Sequence, residues 1–443
     1  MTNNPAKPML SELTKIFIIS ASFWSVFLSK LVSFETIFTL LLIFAILVFR
    51  RPLKEALIFP WQWLLVLVSC FIFLALAPMA WFLPLGDSSL NLVNARFTAL
   101  LVFVYIWVMF WQLRPSEDVI WWGIIGGSFA IIFALGYELY LLGDYAKLFT
   151  HRFGSAATPH VLRFGIYSNL FLVVLLGGFI WAIKKGSLTT LVLIFSIFVA
   201  LSAVILSNTR SAWAGLPEAL IVWALFYWFH FKQNKPKSIK KTLIMMLLVV
   251  ASVVTIVTQF GDRFEKRWDA MVVDFNDYLS GTGSGGSVGL RLVMYEVGIK
   301  GFLENPLTGV GVDNAEQKQQ ELSAPIMQRI YGKPRAFSKT HLHNQFIQEA
   351  YTRGILGLLS FVITLGYLLL FFGKNIKNSA QRHNGSSSPW ALMGLLFVIS
   401  GSISMLTEAW LHLRSGVVFF IFFATFFVFL VQQKNAGRLG AGS

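Results

Sequence analysis

A change from polar to apolar sequence decides the fold of this chain, and it lies within residues 335–374, RAFSKTHLHNQFIQEAYTRGILGLLSFVITLGYLLLFFGK. From residue 343 to residue 372 the sequence is long and apolar enough to cross a bilayer as a helix. A second such run, KTLIMMLLVVASVVTIVTQF, occupies residues 241–260. The sequence therefore predicts two membrane helices separated by a single long loop, residues 261–342, which carries His341 near its end.

The composition of the whole chain is typical of a polytopic membrane protein. It has 443 residues, of which 56% are hydrophobic and 13% charged, with a mean hydropathy of +0.68, whereas soluble proteins carry about 25% charged residues. We predict an all-α fold with about twelve transmembrane helices, at residues 13–31, 33–49, 60–80, 92–112, 119–142, 162–183, 188–207, 211–231, 241–260, 343–372, 389–408 and 413–432. Residues 1–260 then hold helices 1–9, residues 261–342 the loop, and residues 343–443 helices 10–12 and a cytoplasmic tail.

Two other features of the sequence narrow the possibilities. The single cysteine, Cys70, lies in an apolar run, so neither an intrachain disulfide nor a thiolate metal cluster is expected. The first apolar run lacks a small-residue cleavage site, and we interpret it as a membrane helix rather than a cleaved signal.

The distribution of lysine and arginine predicts the orientation. Alternate short loops are rich in basic residues, which places them and both termini in the cytoplasm. The loop 261–342 then lies outside the cytoplasm, which is the periplasm if the cell is Gram-negative. The net charge of +15 is scattered over many loops, so nucleic-acid binding is not predicted.

Several arginines lie on the predicted external side, where positive charge is disfavoured. Cations near membrane depth usually mark a functional pathway or a bound anion. These residues are Arg152, Arg163, Arg210, Arg291, Arg353 and Arg414. Arg353 and Arg414 are expected to be structural or to line a substrate path, and Arg291 has an alternative partner in Glu296.

The order of motifs in the second half of the chain resembles that of the O-antigen ligase family. This family includes lipopolysaccharide ligases, O-antigen polymerases and some bacterial protein O-oligosaccharyltransferases. The matching motifs are Thr209-Arg210-Ser211-Ala212-Trp213, Arg291, Asn305-Pro306 with Gly309-Val310-Gly311, His343-Asn344-Gln345 and Gly354-Ile355-Leu356-Gly357. The resemblance implies a GT-C-like fold and a metal-independent, inverting glycosyl transfer from undecaprenyl diphosphate to an acceptor at the outer face of the inner membrane.

The residue types in these motifs suit that chemistry. Guanidinium groups bind a diphosphate bidentately and stabilise the charge of the leaving group, and a histidine is the usual base for an attacking hydroxyl. We therefore predict His343 as the base, with Arg210 and Arg291 at the diphosphate. Arg152, Arg163, His341 and Asn344 are assigned to substrate binding. No cofactor or metal is expected, because the H-x-H pair has no acidic cluster beside it in the sequence.

Several functions remain open at this stage. The favoured substrates are undecaprenyl-diphosphate-linked O-antigen and lipid A-core, since the external loop is single and late in the chain. The alternatives are an O-antigen polymerase, a protein O-oligosaccharyltransferase and, in a different class, a transporter of a lipid-linked glycan. Transport is disfavoured because the charges cluster at external helix ends and the sequence shows no internal repeat. The match of residues 281–286 to G-x-G-x-x-G lacks a βαβ context and predicts only a flexible loop.

Overall fold

The computed structural model shows a helical membrane protein. It describes residues 6–52, 87–158, 160–215, 268–281, 286–332, 334–382 and 389–435, with isolated positions between 217 and 266. Within these ranges every regular element is a helix and no strand occurs. The helices are α1 Ala6–Phe27, α2 Phe34–Phe49, α3 Asp87–Leu113, α4 Glu117–Leu142, α5 Val161–Leu176, α6 Phe179–Lys185, α7 Ser187–Leu206, α8 Arg210–Ala214, α9 Ser287–Glu304, α10 Ala315–Tyr331, α11 Gln345–Arg382, α12 Pro389–Thr407 and α13 Arg414–Asn435.

Most of the membrane helices predicted from hydropathy correspond to helices in the structure. Within the described ranges, six helices are long and apolar enough to cross a membrane, or seven if α5 and α6, bent by 50°, count as one. The predicted runs 60–80 and 241–260 lie outside the described residues, as does most of 211–231. The chain is thus a multi-pass membrane protein, while the total of twelve spans and the GT-C-like arrangement stay predictions.

The helices alternate in direction, so one end of the bundle collects a defined set of loops. This outer end, which is the side predicted to be external, consists of residues 28–33, 143–160, 207–209, 286–344 and 408–413. The opposite end carries basic residues, and there the N–H of Arg51 bonds to Gln112 at the end of α3. Every cationic residue predicted to be external lies at the outer end or in the first turns of a helix that begins there.

Aromatic packing around α13 forms the centre of the bundle. Phe423 of this helix lies 5.3 Å from Phe397 of α12 and 5.4 Å from Phe23 of α1, measured between ring centroids. Tyr167 of α5 stacks on Phe419 at 4.0 Å. Each such pair contributes about 0.5–1.5 kcal/mol beyond burial, and van der Waals packing of this kind holds helices together where lipid replaces water. A rigid α12–α13 unit therefore supports the loop 408–413 between these helices.

Two helices, α9 and α10, lie outside the membrane spans and pack on each other at the outer end. Val293 and Val297 of α9 are buried against Ile326 and Ile330 of α10. The opposite side of α9 contacts the start of α11. The long loop predicted from the sequence therefore contains an ordered helical pair, seated directly over the first turns of a membrane helix.

Candidate active site

A buried carboxylate, Glu408, joins the residues of the site. It follows the last turn of α12, and its side chain is only 5% exposed. Its Oε2 lies 2.7 Å from Nδ1 of His343 and 3.8 Å from Nη2 of Arg291, and its Oε1 lies 3.2 Å from Nε2 of His341. Two predicted histidines and one predicted arginine are thus brought together by an acid from a distant part of the chain.

The surroundings of Glu408 keep it ionised. Burial alone would raise the pKa of this carboxyl, but the hydrogen bond from His343 and the electrostatic influence of His343, His341 and Arg291 together lower the pKa below its ordinary value. A carboxylate that accepts such bonds is stabilised in its charged form. The site therefore contains a fixed negative charge directly beside the histidines.

The loop before α11 aims both histidine rings at this acid. Leu342, between them, is fully buried with Met294 and Tyr351, and its N–H donates to Oε1 of Gln348 at 2.8 Å. His343 adopts a left-handed backbone with φ of 54°, a conformation that costs energy for residues other than glycine. The burial of Leu342 and the left-handed turn together direct the two rings to the same carboxylate.

The hydrogen bonds around His341 define which of its ring nitrogens carries the proton. The N–H of His343 donates to Nδ1 of His341 at 3.3 Å, so that nitrogen is an acceptor. Nε2 of His341 then carries the proton and donates to Glu408. Burial lowers the pKa of His341 to about 4, with the charges of His343, Arg163 and Arg291 adding to the effect and Glu408 opposing it. His341 is therefore a neutral ring with both nitrogens engaged.

His343, unlike His341, has a ring nitrogen that can act on a substrate. Its Nδ1 is directed at Glu408, which leaves Nε2 as the ring nitrogen for an incoming hydroxyl. The hydroxyl of Tyr295 lies between two acceptors, 3.2 Å from the carbonyl oxygen of His343 and 3.2 Å from that of Leu406, and its single proton bonds to one or is shared by both. This tether fixes the backbone of His343 against the end of α12.

Arg210 and Arg291 approach the same face of α9. Nη2 of Arg210 donates to Oγ of Ser287 at 2.7 Å. Ser287 precedes Arg291 by four residues on α9, so the two lie one above the other on one side of the helix. The two arginines predicted to bind diphosphate thus lie about one helical turn apart, next to the carboxylate–histidine cluster.

Two further arginines lie near the site, Arg152 in the loop between α4 and α5 and Arg163 in the first turn of α5. Nε of Arg152 donates to the carbonyl of Ser207 at 3.4 Å, and Nη1 of Arg163 donates to Oγ of Ser415 at 3.1 Å. The pKa of His160, in the same loop, is lowered by burial and then by the charges of Arg163, Arg152 and His343, with Glu408 opposing. These shared effects show that the loop lies within electrostatic reach of His343.

A second buried carboxylate, Glu138 of α4, holds this loop in place. It accepts hydrogen bonds from the N–H groups of Gly154, Ser155 and Ala156, and from the hydroxyl of Ser155. Its Oε1 also lies 3.1 Å from Nε2 of His151. Because Arg152 lies between His151 and the bonded peptide groups, Glu138 restrains the position of its backbone.

The Asn305–Gly311 motif has a structural role at the break in α11. Gly354 interrupts this helix with φ of 65°. The N–H groups of Val310 and Gly311 donate to the carbonyls of Tyr351 and Thr352, and the N–H of Ile355 donates to the carbonyl of Pro306. A side chain at Gly354 would collide with the backbone of Leu307 and Thr308. This clamp ties the 305–311 loop to the start of the membrane helix.

Other predicted residues make structural contacts. Asn344 caps α11, since its Oδ1 accepts the N–H groups of Phe346 and Ile347; its role in substrate binding stays a prediction. Arg353 forms a buried ion pair with Glu349, and Arg414 pairs with Glu35. The alternative pairing of Arg291 with Glu296 is wrong, because Glu296 binds Arg329 and Lys300 while Arg291 faces Glu408.

The prediction that no acidic group lies beside the H-x-H pair, His341 and His343, is also wrong. The ligand atoms of His341, His343 and Glu408 lie within 4.8 Å of one another, and such a set can hold a metal ion. Two features of the cluster oppose a cation there. Arg291 places a permanent positive charge 3.8 Å from Glu408, and both nitrogens of His341 are already engaged.

Sequence reasoning missed Glu408, Glu138, His160 and Tyr295. Glu408 follows His343 by 65 residues, so no local motif connects them. One signal was available, because Glu408 is the only acidic residue from position 350 to the C-terminus and lies between two apolar runs. Ionisable residues in that position are functional candidates.

The comparisons with known proteins confirm the resemblance. Residues 195–362 match the family model described as O-antigen ligase, a segment that includes Arg210, Arg291 and His343. An uncharacterized protein of Haemophilus influenzae is 24% identical over 340 residues, which is 75% of this chain and 77% of that protein. The O-antigen ligase of Escherichia coli K12 is 23% identical over 270 residues, 59% of this chain and 57% of that ligase.

Proposed function

We propose that this protein transfers O-antigen polysaccharide from undecaprenyl diphosphate to a sugar hydroxyl of lipid A-core at the periplasmic face of the inner membrane, completing lipopolysaccharide. The observation that carries the proposal is the His343–Glu408 pair, surrounded by arginines at the outer end of a membrane bundle. The match of residues 195–362 to the O-antigen ligase model supports it.

His343 is the general base in this proposal. Glu408 holds its Nδ1 and stabilises the imidazolium that forms when Nε2 takes the proton of the acceptor hydroxyl, in the manner of an acid that orients a catalytic histidine. The hydroxyl oxygen then attacks the anomeric carbon, and the bond from this carbon to the diphosphate oxygen breaks on the opposite face. Attack from that side inverts the anomeric configuration.

The arginines bind the donor and the leaving group. Arg210 contacts α9 at Ser287, one turn before Arg291, while Arg152 of the α4–α5 loop and Arg163 in the first turn of α5 add positive charge nearby. A diphosphate that departs with negative charge is stabilised by guanidinium groups already in position. Because these cations supply the electrostatic stabilisation, the mechanism proceeds without a metal ion.

The acceptor distinguishes the ligase from its alternatives. A polymerase would use the same base and the same arginines with a second lipid-linked glycan, and a protein O-oligosaccharyltransferase would use a hydroxyl of a polypeptide. A transporter would need ionisable groups along its path through the membrane. Among the described residues, the histidine–carboxylate cluster lies at the outer helix ends, and the buried charges of Arg353 and Glu349 neutralise each other.

The decisive experiment measures transfer by the purified protein in proteoliposomes, with undecaprenyl-diphosphate-linked O-antigen, lipid A-core and either EDTA or no chelator. A ladder of glycan on lipid A-core is the expected product. Growth of the glycan on its own lipid carrier would replace the ligase with a polymerase. Donor binding without any transfer would contradict both and favour transport.

A further inference from the structure

A helical segment in the long loop, residues 268–280, exposes an apolar stripe. Its members are Trp268, Val272, Phe275 and Leu279, which are 65%, 41%, 45% and 66% exposed. At about 100° per residue, these four side chains fall within an arc of about 60° on the helix. A stripe of four large apolar residues on the outside of a protein marks an interaction surface.

The other two sides of this helix have different surroundings. Met271, Asp274 and Tyr278 form the side that packs on the protein, where Oδ2 of Asp274 accepts the N–H of Val288 at 2.9 Å and Tyr278 contacts the α9–α10 core. The side opposite the protein is exposed and mostly polar, with Asp269, Asn276 and Ser280, and it also carries one apolar residue, Val273, which is 57% exposed. The apolar stripe lies between them, roughly at right angles to the protein-facing side.

The contacts of this helix place it at the level of the bilayer surface. Asp274 binds the first turn of α9 at Val288, and the neighbouring Ser287 binds Arg210. Arg210 begins α8, four residues after the membrane helix α7 ends at Leu206. Farther along, α9 exposes Ile299 and Leu303 as well, at 50% and 67%. The stripe therefore lies beside the membrane helices, close to where they leave the lipid.

We propose that residues 268–280 form an interfacial helix whose apolar stripe inserts into the outer leaflet of the membrane. A helix at this level with one apolar side lies in the plane of the interface, and a tryptophan is the residue that favours that depth. Its bond to the first turn of α9 then fixes the height of α9 over the membrane. This inference is independent of the proposed reaction.

The test uses spin labels in the full-length protein reconstituted in lipid nanodiscs. In a Cys70→Ala background, cysteines are introduced singly at Phe275→Cys and Leu279→Cys in the stripe, with Asn276→Cys and Ser280→Cys as matched controls one residue away. The collision rates of each attached nitroxide with oxygen, which concentrates in lipid, and with a water-soluble nickel chelate are measured by electron paramagnetic resonance.

The expected result is that labels at 275 and 279 collide several-fold more with oxygen than with the nickel chelate, and that labels at 276 and 280 show the reverse. A preference for the nickel chelate at 275 and 279 would mean that the stripe faces water and would overturn the proposal. Protection of 275 and 279 from both reagents would also overturn it, because a protein surface, such as a second copy of this chain, would then cover the stripe.

Discussion

Replacement of Glu408 by glutamine tests the central contact of the site. The carboxylate accepts a proton-bearing nitrogen from each of two histidines, at 2.7 Å from His343 and 3.2 Å from His341. A glutamine amide has one oxygen and one NH2 group, so it can accept from only one of these rings. The other ring must turn or lose its bond, and the imidazolium formed on His343 also loses its counter-charge.

The expected loss follows from the strength of a hydrogen bond to a charged group, about 1.5–3 kcal/mol. This energy corresponds to a decrease in kcat of about 10- to 150-fold for Glu408→Gln. Because Glu408 acts through the base rather than on the donor, the KM for the lipid-linked donor is expected to change little.

The assay is transfer to lipid A-core in proteoliposomes, with kcat and KM measured between pH 5 and pH 8. Glu321→Gln is a matched control, because this carboxylate is 63% exposed and pairs only with Lys318 among the described ion pairs. A Glu408→Gln variant with wild-type kcat would refute the role assigned to Glu408. A fall in thermal stability with unchanged kcat per folded molecule would make the residue merely structural.

Four further predictions concern the neighbours of Glu408. His343→Ala is expected to abolish transfer while donor binding persists. His341→Gln is expected to keep measurable transfer, because the glutamine amide has both an acceptor and a donor, as the neutral ring of His341 does. Equal loss of transfer by the two variants in single-turnover assays would contradict this. Arg210→Lys and Arg291→Lys should weaken the affinity for the donor by about tenfold or more, because a lysine lacks the bidentate fork of arginine, and the alanine variants should weaken it further. Unchanged affinity in a direct binding titration would exclude diphosphate binding by these arginines. Transfer should survive EDTA, and loss on chelation with recovery in Mg²⁺ or Mn²⁺ would show a metal-dependent step. As pH falls from 6.5 to about 4, His341 should take up a proton in the unfolded chain before it does so in the folded protein. About 3 kcal/mol of the free energy of unfolding is therefore lost over this pH range. In His341→Gln, the thermal midpoint should fall less steeply over the same range.

Hydropathy predicted the membrane helices well because a bilayer imposes a minimum length of apolar sequence. The predicted run 389–408 corresponds to α12, Pro389–Thr407, and 119–142 to α4, Glu117–Leu142. The break in α11 at Gly354 was not predicted. It depends on backbone groups of the 305–311 loop that bond to residues more than forty positions later, and such distant pairing leaves no periodic pattern in the sequence.

The arginines and His343 were found through local motifs, whereas the residues that position them were not. Glu138 and Glu408 are acids near the outer ends of apolar helices, and no sequence motif marks either of them. Their roles follow from tertiary contacts, with the 154–156 backbone for Glu138 and with two histidines for Glu408. A sequence motif identifies a residue type and its spacing, but it does not identify the partner that fixes the residue's orientation.

The site is assembled from parts of the chain that lie far apart in the sequence. His343 comes from the loop before α11, Arg291 from the extramembrane helix α9, and Glu408 from the end of α12. Glu408 is buried by these neighbours, and an isolated carboxylate in that position would be unstable without the hydrogen bonds they supply. The seating of α9 and of the loop before α11 on the membrane helices therefore brings Arg291 and His343 to Glu408. Arg210, which begins α8, donates to Ser287 of α9 one turn before Arg291, so the diphosphate arginines and the catalytic pair all depend on the position of α9.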